Sequence, residues 1–293
     1  ALICRAYSHF VLANMFCMPY NPATAGNCLG IPYMDHAETD LNPRYERGTL
    51  QEVYEMIGKD IEAGIPLIDD TAYSVPKYHF NYKAACCFAS RYYLFMQDWD
   101  NAIKYATMAL TSNPSSLLRD YSAIAALPNG TSRHQEYVNS ASTANFLLQA
   151  ATSNSGLLFD WYSTAGRYSH GKLQGIYETV QPKKGGPWGS SVTFKAPHAV
   201  LASSGKYVLP RTWRVFQYTD PVAGTGFNKA ISVLFTSEEA LLNRAEAYIM
   251  KMNEDPTALD KALEDINLYA ANLFSAGFKS MTEASIIKWA TET

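Results

Sequence analysis

Long apolar runs are missing from this sequence. None approaches the roughly 20 residues that cross a bilayer as a helix, so no transmembrane helix is expected. Charge is scarce, at 17% of residues, and the net charge is only −3. Without a block of like charge, nothing global points to nucleic acid or to an anionic membrane. Cysteine is sparse and poorly placed for chemistry. Cys4, Cys17, Cys28, Cys86 and Cys87 are odd in number and show no C-x-x-C spacing. That argues against a zinc site and against a full disulfide framework, and leaves only a Cys17–Cys28 bridge across a loop open. The phosphate-cradling glycine loop, the H-E-x-x-H helix and the G-x-S-x-G elbow are all absent. None of His9, His36, His79, His134, His170 and His198 lies at metal-ligand spacing from another, so each is read as a surface or core residue. Asp69-Asp70 and Glu238-Glu239 are carboxylate pairs only in sequence, and nothing selects a long-range glycosidase pair. No enzyme, no metal and no cofactor is expected.

What the chain does have is apolar and aromatic content, 47% hydrophobic with 20 tyrosines, ample for a core. Helical period dominates residues 1–114, where four helices are expected. Leu2, Ile3, Ala6, Phe10, Ala13 and Cys17 stripe the first. Thr49 with Glu52 reads as a capping box for the second, followed by Leu50, Val53, Ile57 and Ile61 on one face. KAACCFASRYYLFM and DWDNAIKYATMAL are separated only by Gln97 and Asp98, so they predict an antiparallel helical hairpin over residues 83–112. Asp98 is the expected cap and Pro114 the stop. The spacing Tyr93, Ala102, Ala109, Pro114 fits a tetratricopeptide-like unit, although Cys86 and Ser90 stand where that pattern has Trp and Gly. Helices return over residues 231–293. Thr236 with Glu239 suggests a second capping box, and Asp255-Pro256 a helix start, giving a second hairpin like the first.

Residues 115–230 differ. They hold most of the glycines and three of the five tryptophans, and helical period is absent. NFLLQAA and SVTF read as short strands. With 11 Lys and Arg against 5 Asp and Glu, this part carries +6. The expected fold is therefore mostly α: helical hairpins form a scaffold, and a long, irregular, aromatic-rich insertion is mounted on it. That insertion is the candidate binding region, with Trp161, Tyr162, Arg167, Tyr168, Trp188 and Trp213 as candidate ligand contacts. Trp188, in GGPWGSS, is expected to be exposed between glycines. Flat aromatic faces stack on the C–H faces of sugars while polar neighbours satisfy hydroxyls. A satellite core beneath a long loop is the alternative for each aromatic alone. Stacking on nucleobases finds no basic run or RNA-binding motif to support it.

Four stretches taken in order, ALICRAYSHFVLANMF…GIPY, RGTLQEVYEMIGKDIEAGIPLI, YYLFMQDWDNAIKYATMAL and SEEALLNRAEAYIMKMN…ALDKALEDIN, resemble the SusD/RagB family of nutrient-binding outer-membrane lipoproteins of Bacteroidetes. The likeness covers both helical parts, roughly half of the chain. It implies a single SusD-like domain over residues 1–293, and a lipid-anchored protein exposed on the cell outer membrane. It also implies a SusC-like TonB-dependent transporter as partner, an oligosaccharide or a peptide as ligand, and no catalysis. A helical-repeat interaction module unrelated to uptake is the third reading. Members carry a signal peptide, a lipid-bearing cysteine and earlier helices, so this chain is expected to be a piece lacking the N-terminal region and the C-terminal end. None of its five cysteines is expected to be the anchor, since Cys4 lies within a helical stripe.

Overall fold

The computed structural model describes residues 1–39, 41–155, 186–189, 192, 195, 199–201, 206–207, 212–274 and 277–292. Four helices come first: α1 (Leu2–Phe16), α2 (Leu50–Gly64), α3 (Tyr82–Met96) and α4 (Trp99–Leu110). Two short helices follow, α5 (Tyr121–Ala126) and α6 (Gly130–Tyr137), and after the strands come α7 (Ser237–Met250), α8 (Ala258–Leu273) and α9 (Glu283–Glu292). The strands are β1 (Asn145–Thr152), β2 (Ala199–Leu201), β3 (Lys206–Tyr207), β4 (Thr212–Asp220) and β5 (Thr225–Thr236). β1, β5 and β4 form an antiparallel sheet in that order, and β2 pairs with β3. Among the described residues no helix is long and apolar enough to cross a membrane.

α3 is the hub. Residues Ala84 to Ser90 along it are fully buried, because Ala, Cys and Ser let neighbouring helices approach closely. α4 packs back on α3, α7 on α4, and α8 on α7, so two helical hairpins stack into one scaffold. Phe10 of α1 meets Tyr54 of α2 and Phe88 and Tyr92 of α3 edge to face at the centre, and Phe235 of β5 packs at a tilt against Phe88. Ion pairs lock the seams. Arg91 of α3 makes a two-pronged bond to Glu239 of α7 at 2.6 and 2.7 Å, and Arg244 of α7 does the same to Asp265 of α8 at 2.8 and 2.7 Å.

The Thr49–Glu52 capping box is present in both directions, and Asp98 caps α4 through the Asn101 amide. Two local expectations change. Thr236 caps α7, but the Glu239 carboxylate turns away to Arg91, so the box is half made. α8 starts at Ala258 rather than at Pro256, because the Asp255 carboxylate binds the Thr257 amide at 2.9 Å and holds a turn there. Cys17 and Cys28 are free thiols that pack partly buried against the main core. The middle part is also more regular than its period suggested, with α5, α6 and the long strands β4 and β5 inside it. NFLLQAA does form β1; SVTF lies almost wholly outside the described residues. β5 runs through residue 230 and feeds directly into α7.

Candidate functional site

Two cavities open on the sheet side of the scaffold, and Tyr78 lines both. The segment that carries Tyr78 follows α2 and is tied down at each end. Asp69 accepts the Thr71 amide at 3.0 Å and its hydroxyl at 2.6 Å, which holds its carboxyl below the usual range. Asp70 accepts the Tyr82 amide at 2.9 Å. Asn81 caps α3 and also donates to the carbonyls of Pro76 at 3.2 Å and Phe146 at 2.6 Å, joining this segment to β1. Lys77 reaches the Ser142 carbonyl; burial first, then the nearby Lys83 and Arg119 charges, push its pKa down. On this frame Tyr73 stacks on His79 with centroids 4.1 Å apart and planes 11° apart.

The larger cavity, about 800 Å³, is walled by Tyr73, Tyr78, His79, Leu147 and Leu148, with Asp69 and Gln149 as polar groups. The smaller, about 520 Å³, lies between α6, the loop after it and β4. Trp213 and Tyr78 supply its aromatic walls, and Ser132, Gln135, Glu136, Asn139 and Ser140 its polar ones. Its α6 wall is built by caps and a buried anchor. Asn129 accepts the Ser132 amide at 2.9 Å and starts α6. Arg119, 2% exposed, lies 3.8 Å over the Tyr137 ring and donates to the Tyr137 carbonyl at 2.8 Å. Asn145 donates to the carbonyls of Tyr137 at 2.9 Å and Asn139 at 3.0 Å. The strand wall comes from register, since Trp213 pairs with Ile231 of β5 and both face the cavity.

Such a pocket can stack a ring face and satisfy hydroxyls from amide, hydroxyl and carboxylate groups. Glu136 is the one carboxylate on the small cavity, so its described lining holds no acid–base pair for glycosidic cleavage. Among the described residues no cluster of three or more His, Cys, Asp or Glu is placed to hold a metal.

Of the sequence-predicted contacts, Trp161, Tyr162, Arg167 and Tyr168 lie outside the described residues. Trp213 lines the small cavity, half-buried. Trp188 does not stand exposed. Gly186 and Gly189 exchange backbone hydrogen bonds at 3.1 and 3.0 Å, and the ring folds back to stack on Phe274, centroids 5.4 Å apart. Gly186 permits this, because a Cβ there would meet the indole at 2.5 Å. Trp188 thus joins a satellite core with Val192, Ala270 and Met281. Tyr78, Tyr73, Gln135 and Asn139 went unnoticed in sequence, having no motif around them.

Residues 1–94 match a SusD-like family described as starch-binding and associating with the outer membrane. The fold matches a SusD superfamily protein from Bacteroides thetaiotaomicron with a TM-score of 0.62 at 18% identity, covering 97% of this chain and 58% of that one. A SusD-like carbohydrate-binding protein from Bacteroides vulgatus matches at 0.61 and 18% identity, covering 99% and 58%. A laminarin-binding SusD-like protein matches at 0.51 and 15% identity, covering 98% and 65%. No curated protein matches the sequence. Family sequence is thus found over residues 1–94, and the chain as a whole has the fold of these SusD superfamily proteins. It spans less than two thirds of the length of these solved relatives.

Proposed function

We propose that this chain captures oligosaccharides at the cell surface, as part of a lipid-anchored protein that passes them to a SusC-like TonB-dependent transporter. The observation that carries this reading is the small cavity, where Trp213 and Tyr78 present aromatic walls above a rim of amides and hydroxyls. That is the chemistry a sugar ring requires: apolar C–H faces against the rings and hydroxyls against neutral hydrogen-bonding groups. The family description and the laminarin-binding relative lend support in the same direction. In this reading the protein holds its ligand without cleaving it; the described lining of the small cavity carries one carboxylate, Glu136.

Native affinity electrophoresis through gels containing laminarin, soluble starch and other polysaccharides tests it. At least one glycan should retard the chain. Trp213→Ala should weaken that retardation about tenfold or more, since burying much of a ring contributes over ~1.4 kcal/mol. Unchanged retardation in the variant would place the site elsewhere, and binding of extended peptides in place of all glycans would reject the sugar reading.

A further inference from the structure

We infer that His134 is a positioning residue for the sugar site, setting the gap between its two walls; the inference rests on the cavity at Trp213 being that site. His134 sits on α6 and is fully buried. The residues flanking it, Ser132, Gln135 and Glu136, face the cavity, while its own ring points inward. Its Nδ1 lies 2.8 Å from the carbonyl oxygen of Thr212, the residue before Trp213. A carbonyl only accepts, so Nδ1 carries the hydrogen and donates it.

The place of this bond in the fold gives it its role. Among the described residues β4 is the outer strand of its sheet and is paired on one side, to β5. That pairing fixes β4 within the sheet but not against α6. α6 is separately anchored to the core through Arg119 and Asn145 at the Tyr137 carbonyl. His134 therefore links an anchored wall to the first residue of an edge strand, next to the tryptophan that would stack the sugar. A loss of that link lets the Trp213 wall shift, and a displacement of even half an ångström spoils stacking against groups on the other wall.

The test compares three substitutions in the 293-residue chain, read by affinity electrophoresis against laminarin or soluble starch, whichever retards the parent, with thermal unfolding alongside. His134→Asn places an amide N–H where Nδ1–H stood. His134→Gln places its amide one bond farther, and His134→Leu has no donor. The Leu and Gln variants should bind about tenfold more weakly, the worth of one buried hydrogen bond, and the Asn variant close to the parent. Rescue by Asn and not by Gln is a pattern that a general loss of stability does not give. Parent-like binding by a folded Leu or Gln variant, while Trp213→Ala binds weakly, overturns the inference alone. So does an Asn variant as weak as Gln. If Trp213→Ala binds like the parent, the reading of the site fails, and the inference with it. Should the Leu variant not fold, the Asn and Gln pair decides.

Discussion

Thr111 closes α4 with φ 62° and ψ −169°, a conformation almost reserved for glycine, and it is β-branched. The strain is tolerated because the Thr111 amide still bonds the Thr107 carbonyl at 3.0 Å and the chain must turn sharply towards Pro114. Among the described residues its exposed side chain makes no hydrogen bond that would offset the cost. Thr111→Gly should therefore raise stability by about 1 kcal/mol in urea or thermal unfolding, against the usual direction for glycine. A lower midpoint would show that the threonine side chain contributes more than its backbone costs. Two of the tryptophans make the complementary point. Trp188 and Trp213 both stood out in sequence as ligand contacts, yet one is packed on Phe274 and the other lines a cavity. Side-chain type reports what a residue can do; the neighbours that the fold brings decide whether a partner remains to be found.

At the scale of elements, the α2–α3 contact depends on one absent side chain. Gly58 of α2 lies fully buried beneath Tyr92 of α3, whose hydroxyl donates to the Tyr54 carbonyl at 2.7 Å. A Cβ at Gly58 would come within 2.6 Å of that hydroxyl. Gly58→Ala should cost about 1–3 kcal/mol by overpacking, despite the better helix propensity of alanine. Gly58→Ala combined with Tyr92→Phe should recover part of the loss, and full additivity in that cycle would reject the clash as the cause. The long helices were legible because buried stripes and caps coincided, as at Thr49 and Asp98. α5 and α6, with 6 and 8 residues, are too short to show a period. Their caps Asp120 and Asn129 were the only signal. β4 and β5 escaped notice for another reason. Apolar residues fall on both faces of β4, Trp213 and Val215 on one, Phe216 and Tyr218 on the other, so alternation is not visible.

For the whole molecule, the tie between α1 and α2 predicts the acid limb of stability. Arg5 donates twice to Asp60 at 2.6 Å, and the Tyr33 hydroxyl donates to the same carboxylate at 2.6 Å. Burial pushes the Asp60 pKa up, but the bonds from Arg5 and Tyr33 outweigh it, and the net shift is downward from 3.8. The folded state thus binds this proton less readily than the unfolded state. The stabilisation is complete above about 3.8 and is lost as pH falls through the depressed folded value. Asp60→Asn should lower stability near neutral pH and flatten its fall below pH 4, seen in urea unfolding across pH. An unchanged slope in the variant would show that other carboxylates set the acid limb.

The sequence by itself determined the scaffold. Its helical stripes, caps and small-residue contacts are local or nearly so, and each can be read within one or two turns of chain. The family likeness rests on those same helical stretches. Only the tertiary structure decided the site. Tyr78 comes from the segment after α2, Gln135 and Asn139 from α6 and its loop, and Trp213 from an edge strand far along the chain. His134, read in sequence as an ordinary core or surface residue, bonds to the Thr212 carbonyl across the same distance. No local pattern encodes these meetings. They arise because burying the hairpins and the sheet against one core leaves the chain one arrangement in which those walls face each other.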